Sequence, residues 1–103
     1  MEIVILAGAE DDLFSTWQSL EELVPGLGNR FDHSVKSALE RLATHPELAP
    51  IYIGEFRRLV LQRFDHGIFY RTHGRRIVVT AVLSLRQDPD DIRRRLGAFN
   101  HSG

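Results

Sequence analysis

The sequence predicts an α+β fold in which two helices pack on an antiparallel sheet. Apolar residues recur at helical spacing through residues 10–24 and 28–43. After Pro50 the pattern changes to apolar, β-branched runs separated by tight turns, which is typical of antiparallel strands. With 103 residues, of which 43% are apolar and 26% charged, the chain fits one globular domain over residues 1–103.

The first element is a short strand. Glu2 to Ala7 is an apolar run rich in β-branched residues, so we expect a mostly buried strand there. We expect Gly8 and Ala9 to end it. Acids at positions 10–12 then favour the first turn of a helix, because the positive end of the helix dipole attracts negative charge. Pro25-Gly26 ends that helix.

A second amphipathic helix is expected from about Gly28 to Ala43. Its apolar positions share one face: Phe31, Val35, Ala38, Leu39 and Leu42. The helix stops at Thr44-His45-Pro46, since proline disfavours helical backbone in the residue before it. Only a Pro-Gly turn separates the two helices, so the sequence predicts a helical hairpin.

A three-stranded antiparallel meander should follow the hairpin. Its expected strands are Phe56–Phe64, Ile68–Thr72 and Ile77–Leu85. The turns between them are Asp65-His66-Gly67 and His73-Gly74, where glycine tolerates a positive φ. The last strand is almost entirely apolar, which predicts a position covered on both faces.

A short helix should close the fold. Asp88 can accept hydrogen bonds from the first amides of a helix, and Pro89 suits the first helical position. Asp90 and Asp91 lie in the first turn, and the basic triplet 93–95 lies near the negative end of the dipole. The predicted order is therefore β-α-α-β-β-β followed by a short C-terminal helix.

Composition excludes several classes of protein. Cysteine is absent, so the chain contains no disulfides and no thiolate metal sites, which suits a reducing cytoplasm. The apolar run near the N-terminus is too short for a signal peptide or a membrane span. We expect a cytoplasmic protein that does not bind a membrane.

Charge divides the chain into an acidic and a basic half. Residues 1–54 hold nine acids and three basic residues, a net charge of −6, whereas residues 55–103 hold ten arginines and five acids, a net charge of +5. Residues 56–96 contain no lysine. Because arginine presents a planar fork of donors, this bias indicates an anionic partner, either nucleic acid or an acidic protein chain. A GC-rich genome would also favour arginine over lysine.

Four segments resemble, in their order and spacing, the RelE/ParE superfamily of bacterial type II toxins, also called the plasmid stabilisation family. They read AEDDLFSTW in the first helix, RFDHSVKSALERLATHPEL through the second, FRRLVLQRFDHGIFYR across the first hairpin and IVVTAVLSLRQDP at the end of the meander. The resemblance covers most of the chain, from about Ala9 to about Leu96.

The resemblance implies two alternative modes of action. RelE-like toxins enter the ribosome and cut messenger RNA, whereas ParE-like toxins share the fold and trap DNA gyrase on DNA. Both are neutralised by a small antitoxin, and the complex often represses its own operon. For this chain we therefore expect an acidic, amphipathic antitoxin, with operator DNA bound only through that antitoxin. No cofactor is implied.

Departures from the RelE-like pattern favour the ParE-like alternative. Metal-free RNA cleavage needs groups that transfer protons, and arginine remains charged at any ordinary pH. The first meander strand has arginines but no lysine, and the segment after Pro89 has no tyrosine or histidine before His101. Many relatives place a histidine and an arginine where this chain has Ser84 and Gln87. An endoribonuclease, or a relative that has lost toxicity, remains open.

Arginines on the strands are the candidate binding residues. We expect four of them to form an anion-binding surface: Arg58, Arg63, Arg71 and Arg86. If the protein is a nuclease, Arg58, Arg63, His66 and Arg86 are the candidate catalytic residues. The triplet Arg93, Arg94 and Arg95 is either a solvated helix end or a contact with the acidic antitoxin.

The histidines and aromatic residues give weaker signals. No two of the five histidines are four residues apart on one helix face, so we expect no metal site. His66 is expected to be a solvated turn residue, with a general acid or base as the alternative. Phe69 and Tyr70 could stack on a nucleobase, but strand alternation places at least one in the core, and we expect Phe69 there.

Overall fold

A computed structural model describes residues 1–97 and shows an α+β fold. Its elements are β1 Glu2–Ile5, α1 Ala7–Leu23, α2 Leu27–Thr44, β2 Ile51–Ile53, β3 Phe56–Val60, β4 His66–His73, β5 Arg76–Ser84 and α3 Pro89–Leu96. The predicted strand, helical hairpin, meander and terminal helix are confirmed. None of the described helices is both long enough and apolar enough to span a bilayer.

The strands form one five-stranded mixed sheet in the order β1-β5-β4-β3-β2. β1 runs parallel to β5, with Ile3 opposite Ile77, and the other neighbouring strands are antiparallel. The ladder between β4 and β5 contains a bulge, because Phe69 pairs with Ala81 while Tyr70 pairs with Val79. The extra residue shifts the alternation of β5, as bulges do.

The helical hairpin covers one face of the sheet, which we call the hairpin face. Its core is built from helix residues Phe31, Val35 and Leu42 on strand residues that include Ile68 and Tyr70. The β5 bulge brings Val79 and Val82 to this same face, although they are three positions apart. Full burial of one such side chain contributes roughly 1.5–3 kcal/mol, so this core dominates stability.

The opposite face, which we call the α3 face, carries a smaller core. Ile92 and Leu96 of α3 pack against Phe69, Ala81 and Leu83. β5 is therefore covered on both faces, which confirms the prediction from its apolar run. The position of α3 is fixed at its start by the Asp88 carboxylate, which accepts a hydrogen bond from the Asp90 amide at 2.8 Å, as predicted.

The turn between α1 and α2 depends on one carboxylate and one glycine. Glu21 accepts hydrogen bonds from the amides of Gly26 at 3.1 Å and Gly28 at 2.8 Å. These backbone donors lower the pKa of Glu21. At Gly28, a Cβ atom would lie 2.5 Å from the Trp17 carbonyl oxygen, so only glycine allows the two helices to approach this closely.

Three expected boundaries are wrong, and one strand was not expected. α1 begins at Ala7, because Leu6 is extended and its carbonyl already accepts the Glu10 amide at 3.0 Å; Gly8 and Ala9 therefore belong to the helix. The edge strand β2 was not expected, since three residues are too few for a periodic signal. β3 stops at Val60 rather than Phe64, and His66 starts β4 instead of forming a turn.

Candidate functional site

Arg58 and Arg71 lie on strands and point to the α3 face. Arg58 of β3 pairs with Phe69, and Arg71 of β4 pairs with Val78. Side chains of directly paired residues share a face, and Phe69 packs in the core under α3. Among residues 1–97, neither arginine makes an ion pair. The two guanidinium groups therefore form a positively charged part of this face.

Arg58 is held by an aromatic pair. Its guanidinium carbon lies 4.7 Å from the centroid of the Tyr52 ring, and that ring packs edge-on against Phe69 at 5.3 Å. The stem of Arg58 crosses Gly67, where a Cβ atom would lie 3.0 Å from the Arg58 Cγ. Tyr52 was not predicted as a site residue because β2, with only three residues, gives no periodic signal in the sequence.

Arg63 and Arg86 do not lie on strands, contrary to expectation. Arg63 lies in the loop of residues 61–65 with φ at 71°, the one described non-glycine residue with a positive φ. Arg86 follows β5, and its Nη2 lies 2.9 Å from an oxygen of Asp65. Because both partners of this ion pair are exposed, it contributes at most about 1 kcal/mol. The scaffold fixes these two side chains less firmly than Arg58.

His66 is not a solvated turn residue. It begins β4 on the hairpin face, and its ring lies 5.2 Å from the ring of Phe31 in an edge-on contact. Burial lowers the pKa of His66, and the nearby charge of Asp65 opposes that shift. The sequence carries no local signal for this environment, because it depends on where α2 crosses the sheet.

Two of the four candidate catalytic residues, Arg58 and His66, lie on opposite faces of the sheet. Arg58 is on the α3 face, whereas His66 packs on the hairpin face, so the thickness of the sheet separates them. Phe69 and Tyr70 are both fully buried, which confirms the expectation for Phe69 and leaves neither ring able to stack on a base. The Tyr70 hydroxyl donates to the Pro46 carbonyl at 2.8 Å, and burial raises its pKa. His101 lies outside the described residues.

The arginines of α3 all make ion pairs within the chain. Arg93 and Arg94 pair with Asp90 and Asp91, three residues earlier on the same helix. Arg95 instead reaches Asp12 of α1, with two contacts at 2.9 and 2.8 Å, and this carboxylate raises the pKa of the guanidinium. Arg95 is therefore not a free charge, because its ion pair with Asp12 ties α3 to α1.

The groove between α1 and α2 is a second surface, which the sequence did not indicate. Phe14 is 63% exposed and stacks on Trp17 with ring centroids 6.2 Å apart. Leu13 and Val35 contribute to the walls of this cavity of about 580 Å³, which we call the apolar groove. Exposed aromatic pairs beside such a groove are typical of protein-binding surfaces. Among residues 1–97, no three acidic or histidine side chains are grouped as metal ligands would be.

Comparison with known proteins identifies the family. The model of the family described as ParE toxin of type II toxin-antitoxin system, parDE, matches residues 3–89. The chain belongs to the ParE toxin family. The predicted resemblance is thereby confirmed and narrowed to its ParE-like branch. The ParE match includes β1 from Ile3 onwards, the whole of β2 to β5 and the four candidate arginines, and it ends at the first residue of α3.

The ParE fold is also found among solved structures. A structure described as a chromosomal ParDE TA system from P. aeruginosa superposes with a TM-score of 0.71 and is 18% identical. The alignment covers 82% of this chain and 95% of that chain. At this identity the similarity establishes a shared fold. No curated protein matches the sequence.

Proposed function

We propose that this ParE-family toxin acts in the cytoplasm by binding and inhibiting DNA gyrase, without ribonuclease chemistry. The observation that carries the proposal is the separation of Arg58 from His66 across the sheet. Cleavage of RNA without a metal requires a proton acceptor beside the cation that neutralises the phosphate. With the histidine packed on Phe31 and the arginine on the other face, binding is the function this arrangement supports best.

The target-binding surface is proposed to centre on Arg58 and Arg71. Both project from paired strands, and Arg58 is oriented in advance by Tyr52. Preorganised guanidinium groups recognise carboxylate or phosphate groups with less loss of side-chain entropy than lysine would. Arg63 and Arg86 extend this surface through the loops at its end.

Two assays on the purified protein test the mechanism. We expect inhibition of gyrase supercoiling and no cleavage of messenger RNA on programmed ribosomes. Site-specific cleavage in the ribosomal A site by the wild-type protein would overturn the proposal. Arg58→Ala should weaken gyrase inhibition, while Arg75→Ala, in the exposed hairpin turn, serves as the matched control.

We further propose that a small amphipathic antitoxin neutralises the toxin by seating an apolar helix in the apolar groove. Helix-in-groove binding uses apolar anchors at helical spacing, and Phe14 and Trp17 offer the complementary surface. The basic half of the chain, with a net charge of +5, would attract an acidic segment of the same antitoxin. Arg93 and Arg94 remain candidate contacts, since exposed ion pairs can exchange partners.

Coexpression with a short reading frame next to the toxin gene tests whether that frame encodes the antitoxin. We expect that frame to restore growth, and Phe14→Ser to weaken the complex far more than Leu23→Ser does. Leu23 is 73% exposed but lies outside the apolar groove, so it controls for loss of surface hydrophobicity.

Association of the toxin with the antitoxin should slow as salt rises, because attraction between opposite charges is screened. An association rate independent of salt would count against the acidic segment.

A further inference from the structure

A cleft on the outer side of α2 shares only Arg63 with the binding surfaces proposed above. It lies between α2 and the loop of residues 61–65, and its volume is about 900 Å³. We call it the α2 cleft. Arg30 and Arg41 line one wall, Arg63 lines the other, and Leu61 and Phe64 are among its apolar residues. It shares no residue with the apolar groove, which lies on the other side of α2.

The α2 cleft carries positive charge without compensation. Its lining includes three arginines and His33 but no acidic residue. Among residues 1–97, Arg30, Arg41 and Arg63 make no ion pair, whereas the arginines at 76, 86 and 93–95 all do. Cations collected around a concave surface and left without carboxylates attract an anionic ligand.

Side chains, and not the helix dipole, supply this charge. The first amides of α2 are already occupied, since Glu21 accepts from Gly28 at 2.8 Å and from Asn29 at 3.3 Å. Arg63 reaches the cleft from a backbone with φ at 71°. Non-glycine residues held in this region cluster at ligand sites, where the surrounding structure imposes the conformation.

The spacing along α2 fits an extended polyanion. Arg30, Ser34, Ser37 and Arg41 follow each other at helical spacing on one stripe, and the rise between the two arginines is roughly 16 Å. Guanidinium groups this far apart would meet different charges of a chain, not one small anion. Hydroxyl and amide groups between them offer hydrogen bonds to sugar and phosphate oxygens. We propose that the α2 cleft binds single-stranded nucleic acid through its phosphodiester backbone.

The surroundings of the cleft favour nucleic acid over an acidic peptide. A peptide would need an unpaired strand edge, an apolar groove or arginines close enough to hold one acidic group together, and Arg30 and Arg41 are roughly 16 Å apart along α2. The cleft is walled by a helix, and on the loop side the Leu61 amide is already bonded to the His66 carbonyl at 2.9 Å. The apolar groove is on the other side of α2, so a protein partner and a nucleic acid strand can bind together. Binding of a single strand goes beyond the proposed inhibition of gyrase, because the purified toxin would bind the strand with no gyrase present.

Fluorescence anisotropy with the purified full-length protein tests the proposal. The probes are labelled single strands of roughly 12 nucleotides, one oligo-dT and one oligo-U. We expect saturable binding, and the logarithm of the affinity should fall against the logarithm of salt concentration with a slope of about −0.7 for each phosphate bound. The tighter of the two probes identifies DNA or RNA as the strand. A duplex of the same length should bind more weakly, since the proposal places one unpaired strand in the cleft.

Matched variants locate the site. Arg30→Gln combined with Arg41→Gln should weaken single-strand binding by at least roughly tenfold, because each contact is charge-assisted. Arg63→Gly removes the guanidinium while leaving a residue that accepts the positive φ. Arg75→Gln is the control outside the cleft, and it should change affinity by less than about twofold. Thermal unfolding of each variant checks that the fold is intact.

Several outcomes would overturn the inference. These are an absence of single-strand binding at low salt, duplex binding as tight as single-strand binding, and equal losses of affinity for the cleft and control variants. Competition by oligoglutamate at the same charge concentration would identify an acidic peptide as the ligand instead. Failure here would leave the gyrase proposal untouched, since supercoiling inhibition is measured separately and depends on Arg58.

Discussion

The two faces of the sheet differ in what covers them. On the hairpin face, two long helices bury an extensive core, and the Tyr70 hydroxyl donates a hydrogen bond to the Pro46 carbonyl. On the α3 face, one short helix covers a smaller core and leaves Arg58 and Arg71 uncovered. The difference suggests a division of labour, in which one face supplies stability and the other presents charge.

Removing an aromatic ring from the core of the hairpin face should have the largest effect on the free energy of unfolding. Phe31 has no exposed surface and contacts the rings of Phe64 and His66. Phe31→Ala should lower the free energy of unfolding by about 3–5 kcal/mol, because it removes buried surface and leaves a cavity. Urea denaturation measures this. Phe14→Ala, on an exposed ring, should cost less than about 1 kcal/mol; similar losses would contradict the assignment of the core to this face.

Substitutions at the contact between α1 and α3, which joins the two faces, should have the next largest effect on the free energy of unfolding. Asp12 holds Arg95 and also accepts the Val82 amide at 3.0 Å, with only 12% of its side chain exposed. Asp12→Ala should therefore cost about 1–3 kcal/mol, since it strands a backbone donor and a guanidinium. Asp91→Ala breaks an exposed pair and should cost at most about 1 kcal/mol. Equal costs in the same denaturation assay would remove the distinction between the two ion pairs.

The dependence of stability on pH should be a smaller effect. Burial lowers the pKa of His66, so the unfolded chain binds a proton more readily than the folded chain does. Stability should therefore fall as pH drops through the ordinary histidine pKa, about 6.5, towards the lowered folded value. His66→Phe should flatten this part of the stability profile, whereas His33→Gln, at an exposed position, should not. Unchanged slopes for both variants would show that other groups govern the profile.

The smallest effect on stability should come from the charged face. Arg58→Lys keeps the charge but removes the planar group stacked on Tyr52, so the free energy of unfolding should change by roughly 0.5–1 kcal/mol. Growth arrest should nevertheless weaken, because the α3 face is proposed to contact the target. Thermal unfolding and growth curves measured side by side separate the two effects. Full toxicity of the lysine variant would mean that generic positive charge suffices.

Local signals in the sequence predicted most of the fold. Asp88 and Pro89 marked the start of α3, and the apolar run of β5 indicated a strand covered on both faces, because both signals lie within a few residues. The end of β3 was missed, since no glycine, proline or acidic turn residue follows the apolar residues at 59–61 before position 65. The left-handed Arg63 has no such local signal.

The candidate sites were less predictable because they depend on distant parts of the chain. Asp12 and Arg95 are 83 residues apart, and no residue near either one in the sequence indicates that they form an ion pair. The α2 cleft draws Arg30 and Arg41 from the half of the chain with a net charge of −6. Counting charges along the sequence therefore concealed a positively charged site that folding assembles.

The short length of β1 has a consequence for how copies of the protein behave in solution. β1 pairs only with Arg76–Val79, so within residues 1–97 the rest of β5 has no strand neighbour on that side. Unpaired strand edges invite pairing with other molecules and so promote aggregation. The Asp12 carboxylate occupies the Val82 amide and places a negative charge at this edge. The Asp12 side chain therefore opposes edge-to-edge association of two copies, in addition to its ion pair between α1 and α3.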